Sequence, residues 1–262
     1  MDGIILDIFA FLLGLIAGSF LNCVIYRIEA GKSFIKERSI CPKCKHILAW
    51  YDLFPILSFM ALRGKCRYCK EKISWQYPAV ELLTAIIFVW IFNYFIWYEA
   101  IFYCVITSLL IIVFIYDLKH FIIPDRITFL GIGLLLVVRI WDLIGHWSLD
   151  IGILEKWNFF LASIGAGAFF LAIYLISHGK WMGFGDVKLA FLMGLLLGHL
   201  NILIALFLSF LMGGFIGICL ILTKKKQLKS EVPFGPFLAA GAFIALLWGD
   251  KILLWYLNLL KI

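Results

Sequence analysis

Long apolar runs alternate with short polar islands along this chain, and that spacing predicts helices buried in lipid. Eight runs stand out, over about 4–26, 79–97, 100–116, 127–144, 157–177, 187–199, 202–223 and 232–249. A helix that crosses a bilayer needs roughly 20 mostly apolar residues. The sixth run is shorter and is expected to begin as a broken or re-entrant segment. The stretch KILLWYLNLLKI after the last run is too short to cross and is expected in the interface. The first run lacks the basic flank and the small-residue cleavage site of a signal peptide, so it reads as a retained span. The expected fold class is all-α: a polytopic membrane protein with about eight transmembrane helices and a small cytoplasmic insertion between the first two.

Composition agrees. The 262 residues are 64% hydrophobic, with a mean hydropathy of +1.04. Soluble domains are about 45–50% apolar. No soluble core of this length absorbs so much apolar surface.

Charge sets the expected orientation, because Lys and Arg collect on the cytoplasmic side. With the N-terminus outside, the inner segments 27–78, 117–126, 178–188 and 224–231 hold 19 of the 23 basic residues. The net charge of +7 then reflects contact with anionic lipid headgroups. Membrane lipid is the expected partner and nucleic acid is not. Three segments follow: 1–26 as the first span, 27–78 as a basic cytoplasmic island, and 79–262 as a transmembrane domain. No internal repeat or low-complexity tract is evident.

The island holds four of the seven cysteines, in CPKC at 41–44 and CRYC at 66–69. Two CxxC turns can each offer two thiolates, and together they complete a tetrahedral zinc site. Cys41, Cys44, Cys66 and Cys69 are the expected ligands. Basic neighbours such as Lys43, Lys45 and Arg67 would offset the charge of four thiolates. Four protein ligands leave no open position for water, so the zinc would be structural. A pair of disulfides and a set of unligated thiols are the competing readings. A reducing cytoplasm disfavours the first. Cys23, Cys104 and Cys219 fall in spans and read as packing residues.

Acidic residues inside spans are costly and mark functional candidates. Asp7, Glu99, Asp142, Asp150, Glu155 and Asp250 fall near the outer boundary and read as solvated. Glu81 opens a span and reads as a cap or a salt-bridge partner of the island. Asp117 ends the apolar run SLLIIVFIY, and Asp186 follows two glycines in GFGD. The topology puts both at the inner face. Two carboxylates brought together in a low dielectric cannot both ionise easily, so the pair shares a proton. That state suits peptide hydrolysis: one group takes a proton from water while the other polarises the scissile carbonyl. Gly183 and Gly185 would let the backbone unwind beside Asp186 and approach an extended substrate. Asp125, in IIPDR, is the rival partner for Asp186, although its neighbour Arg126 and its loop position favour solvation.

LLGLIAGSFLNCVIYR at 12–27, the paired CxxC motifs, RYCKEKISWQYPAVELLTA at 67–85, DLKHFIIPD at 117–125, GFGDVKLA at 183–190 and PFGPFLAAGA at 233–242 together resemble the type IV prepilin peptidases. The resemblance runs in order along nearly the whole chain. Tyr116–Asp117 and GFGD also resemble the wider group of intramembrane aspartyl proteases that includes presenilin. Such a resemblance implies a bacterial plasma-membrane enzyme that cuts the basic leader from prepilins or pseudopilins at the cytoplasmic face, after a glycine. It implies Asp117 and Asp186 as the catalytic pair. It also implies N-methylation of the new N-terminus from S-adenosylmethionine, with the cysteine island associated with that second activity. The residues that would hold the methyl donor are not legible in the sequence. Glu29, Glu37 and Asp52 are faint candidates to receive a basic leader. A peptidase without methylation, a proton-coupled transporter and a zinc-dependent scaffold are the alternative functions.

Overall fold

A computed structural model describes residues 2–31, 38–144, 153–223 and 232–260. The basic tract 224–231, Glu37 and Asp150 lie outside those residues, and so does the side chain of Glu155. Eight α-helices are present among the described residues: α1 (Asp2–Glu29), α2 (Leu57–Ala61), α3 (Gln76–Tyr94), α4 (Trp97–His120), α5 (Asp125–Leu143), α6 (Ile153–Ser177), α7 (Phe184–Leu222) and α8 (Gly235–Leu260). A 3-10 turn at Trp50–Leu53 precedes α2. The described residues contain no extended strand, only isolated bridges. The protein is an all-helical membrane protein.

Six helices are long and apolar enough to cross a membrane: α1, α3, α4, α6, α7 and α8. Helix α5 is 19 residues long but carries Asp125, Arg126, Arg139 and Asp142. The sixth and seventh expected runs fuse into the 39-residue α7. Its break lies within, at Gly198, whose φ of 76° is non-helical, and not at its start as the sequence suggested. The closing stretch expected to lie apart instead continues α8 to Leu260.

The chain forms two compact units, residues 1–112 and 113–262. In the first, α1 packs along α3 on a four-residue ridge. A Cβ on Gly14 would lie 2.5 Å from Ala85 Cα, and one on Gly18 would lie 2.6 Å from Glu81 Cα. One turn further, the Asn22 amide donates to the Tyr77 carbonyl at 3.0 Å. Small residues let the two backbones meet, the usual device where lipid supplies no hydrophobic drive between helices. Large apolar side chains left outside, such as Ile4, Ile16 and Phe20, are suited to lipid.

In the second unit, α7 packs between α6 and α8 and also against α5. Arg139 of α5 secures the break in α7. Its guanidinium donates to the carbonyls of Leu195 and Leu196 at 3.1 and 3.2 Å and lies 3.4 Å over the Phe159 ring. Those carbonyls belong to the turn just before Gly198, where helical partners run out. The planar fork of arginine supplies two donors at once.

Candidate functional site

Asp117 lies near the end of α4 and is 4% exposed. The helix stops at His120 because Phe121 turns to a φ of 57°, with the Phe121 N–H returned to the Asp117 carbonyl at 2.9 Å. The chain then runs through Ile122, Ile123 and Pro124 into α5. Asp117 Oδ2 accepts the Gly235 N–H at 3.0 Å. Gly235 opens α8, and Pro236 behind it has no N–H to offer, as suits a first helical turn. A Cβ on Gly235 would lie 2.6 Å from that same oxygen. Only glycine leaves room for the carboxylate.

Asp186 sits in the first turn of α7 and is 8% exposed. Its Oδ2 accepts the Gly183 N–H at 3.2 Å, while its own N–H donates to the Gly183 carbonyl at 3.1 Å. This is the acidic half of a capping box. The sequence suggested unwound backbone around the two glycines. Instead Gly183 is an ordinary extended cap, with φ −77°, and Gly185 is helical. Gly185 is needed for closeness: a Cβ there would lie 2.9 Å from Ile123 Cβ. Ile123 also reaches within 3.1 Å of the Cβ position of Gly235. One buried isoleucine therefore wedges between the starts of α7 and α8.

The two carboxylates that the sequence paired sit at helix starts that share one neighbour, Ile123, which closes on both Gly185 and Gly235. Each is held at a helix N-terminus, where free N–H groups and the helix dipole stabilise a carboxylate. That arrangement answers how a membrane span tolerates them. Asp125 lies elsewhere: it is ion-paired with Lys188 and its side chain is 62% exposed. Lys188 also sits 5.3 Å from the centre of the Phe184 ring. Gly235, Ile123 and Arg139 were not singled out as site or scaffold residues from sequence. The glycine in PFGPF was visible, but its partner lies 118 positions away.

The four cysteines also meet. Their Sγ atoms all lie within 4.8 Å of one another, and Cys41 and Cys69 are 4.0 Å apart. A tetrahedron with Zn–S bonds of about 2.3 Å has edges of roughly 3.8 Å, so the donor set fits a four-thiolate metal. The two turns are built alike. Cys41 N–H donates to the His46 carbonyl and Lys45 N–H to Cys41, at 2.9 Å each. Cys66 N–H donates to the Glu71 carbonyl at 2.8 Å and Lys70 N–H to Cys66 at 3.0 Å. Lys45 and Lys70 both have φ near 60°. This local repeat escaped the sequence because only the cysteines and the lysine after each pair recur. Partial burial opposes ionisation of Cys41, but the backbone N–H groups of Cys44 and Lys43 and the nearby thiols bring its pKa down to about 7. Cys69 in the same cluster goes the other way: the Glu71 backbone lowers its pKa, but desolvation and its hydrogen bonds to the other three thiols push it up to about 11. The fit to a metal therefore rests on the geometry of the four sulfurs.

Asp52 ties the 3-10 turn to the second cysteine turn. It accepts from Arg67 at 2.7 Å, from the Tyr68 hydroxyl at 3.1 Å and from the Ala49 N–H at 3.3 Å. Burial works against its charge, but these donors hold its carboxyl below the usual range. It is committed to the island's own structure. Glu81 neither caps α3 nor pairs with a described charge of the island, as was expected of it; it lies within α3 and accepts the Ile56 N–H at 2.8 Å, tying the island to the span. Asp7 accepts from Asn93, and Asp250 from Asn201.

Residues 12–95 match the family model described as the bacterial Peptidase A24 N-terminal domain, and residues 104–218 match that of the type IV leader peptidase family. The chain is 37% identical over 251 residues to a prepilin leader peptidase/N-methyltransferase of Bacillus subtilis (strain 168), covering 95% of this chain and 97% of that protein. A protein of the same name from Aeromonas hydrophila is 34% identical over 280 residues, covering 95% and 92%. One from Legionella pneumophila is 32% identical over 274 residues, covering 94% and 93%. No solved structure matches the chain at a significant level.

Proposed function

The chain belongs to the type IV leader peptidase family, and from that premise we infer that it cleaves the leader from prepilins or pseudopilins and then methylates the new N-terminus. We assign the cleavage to Asp117 and Asp186. The observation that carries the assignment is the pair of buried carboxylates, each anchored by one backbone N–H at helix starts that share the Ile123 side chain.

The chemistry follows from one shared proton. The ionised carboxylate takes a proton from water, whose oxygen attacks the scissile carbonyl carbon. The protonated partner gives its proton to the carbonyl oxygen. The tetrahedral intermediate then collapses, the C–N bond breaks, and the leaving nitrogen takes up a proton. Gly235 and Gly183 hold the two carboxylates in place so that little reorganisation is needed at the transition state. S-adenosylmethionine would supply the methyl group for the second activity, to an N-terminal amine that must be unprotonated to receive it.

We assign the four cysteines to a structural zinc, held by Cys41, Cys44, Cys66 and Cys69. A zinc held by these four thiolates would supply folding energy to the island and would have no open coordination position. Residues 27–78 form the methyltransferase-associated island on this reading, and 79–262 the peptidase domain. The active site faces the cytoplasm, with the N-terminus outside. The excess of basic residues in the inner segments supports that orientation.

The test is an assay of purified protein against a prepilin peptide, with and without S-adenosylmethionine. The wild type should cut after the glycine, and should add a methyl group only with the donor, as read by mass. Asp117→Asn and Asp186→Asn should each lower cleavage by about 10³-fold or more. Cleavage at the normal rate in a folded variant rules out the aspartate mechanism. A cut but unmethylated product in the presence of donor leaves a peptidase alone.

A further inference from the structure

We propose that the segment Trp50–Ala61, together with Trp75, is a membrane-interface anchor seated at the headgroup–acyl boundary of an anionic bilayer beside α1 and α3. The segment exposes its largest apolar groups. Trp50 is 73% exposed, Leu57 67%, Met60 67% and Trp75 77%. The Trp50 ring touches Phe54, with centroids 5.7 Å apart, and Leu57 and Met60 lie one turn apart on α2. Exposed apolar groups gathered in an otherwise polar insertion mark a surface that something covers.

The depth of the segment identifies the cover. Helix α3 has 19 residues, about 28 Å at 1.5 Å of rise, close to the ~30 Å hydrocarbon core. Its whole length is therefore needed to cross, and Gln76 marks the edge of the core. Glu81 lies one and a half turns in, about 7–8 Å deeper. The hydrogen bond from Ile56 to Glu81 pins the start of α2 at that depth. Interfacial helices bury their apolar face about 5–10 Å into the same zone. Trp75, immediately before α3, stands where the aromatic belt of a span is expected.

Charge points the same way. Residues 38–75 carry eight Lys or Arg against Asp52 and Glu71, a net of +6, and Asp52 is already paired with Arg67. An apolar face carried on so basic a segment fits anionic headgroups better than neutral ones. An apolar helix of a protein partner is the other class of occupant, and the experiment separates the two.

Full-length protein is placed in nanodiscs of mixed phosphatidylcholine and phosphatidylglycerol, with lipid chains brominated near the headgroup end. The emission of Trp50 and of Trp75 is taken as the difference between wild type and Trp50→Phe or Trp75→Phe. Brominated lipid should remove more than roughly half of each contribution, and iodide in the buffer should remove little. Contributions that survive in brominated lipid overturn the proposal: those that iodide quenches face water, and those that neither quencher reaches are covered by protein. Leu57→Trp gives a gain of signal on the same face. It keeps the test decisive should either phenylalanine variant lose its metal: the added emission must be quenched by the lipid and not by iodide.

Discussion

At the scale of single residues, the candidate site is governed by what each carboxylate touches. Asp117 and Asp186 are buried and Asp125 is exposed and ion-paired, although all three stand within a few residues of a helix end. Asp125→Asn should therefore keep most cleavage activity in the peptide assay, within about threefold of wild type, since exposed ion pairs contribute little. Gly235→Ala is the sharper case. Its new methyl group would lie 2.6 Å from Asp117 Oδ2, so the carboxylate or the start of α8 must shift. A displacement of that size in a catalytic group costs about 100-fold in rate. The expected result is a folded protein, with unchanged thermal midpoint to within a few degrees, whose cleavage rate falls by that order. An active Gly235→Ala enzyme would show that the oxygen is not held where catalysis needs it.

At the scale of elements, two devices hold pieces in place that propensity alone does not. The first is the pair of matched cysteine turns. Cys41→Ser should drop the bound zinc to well below one per chain and loosen the island, whereas Cys219→Ser, in α7 and exposed, should leave the metal content unchanged. The Asp52 network adds a pH dependence. Its carboxyl is held below its ordinary value, so its contribution is complete above about pH 4, the ordinary carboxylate range. As pH falls below that value the contribution is lost. Limited proteolysis of the island should accelerate there in the wild type, and less so in Asp52→Asn. The second device is Arg139 at the break in α7. Arg139→Met would leave the Leu195 and Leu196 carbonyls without their donors, at a cost of about 2 kcal/mol or more where water is scarce. A lowered thermal midpoint with the aspartates intact is the expected signature.

At the scale of the whole molecule, the chain divides into a unit bearing the thiol cluster and a unit bearing both carboxylates. Stripping metal with a chelator should therefore lower methyl transfer more than cleavage, measured on one sample by the mass of the product. Equal loss of both would tie the zinc to the peptidase as well. Much of this organisation was legible in the sequence. Apolar runs longer than about 17 residues have few alternatives to spanning lipid, and CxxC pairs have few uses outside metal and redox chemistry. The helical class of the elements and the cysteine quartet follow from such local rules, whereas the number of spans does not: two expected runs fuse into α7, and six of the described helices, not eight, are long and apolar enough to cross. The break at Gly198, the extension of α8 and the ordinary cap at Gly183 do not, because helix ends and kinks are set by partners distant in the chain. The Gly235 amide that holds Asp117, the Ile123 wedge and the Arg139 clamp are contacts between segments 50 or more residues apart. Sequence alone determined the solvent, the elements and the chemistry available to them. Tertiary structure alone decided which backbone groups meet which side chains, because a hydrogen bond is a matter of ångströms and chain spacing carries no such information once the chain folds back on itself.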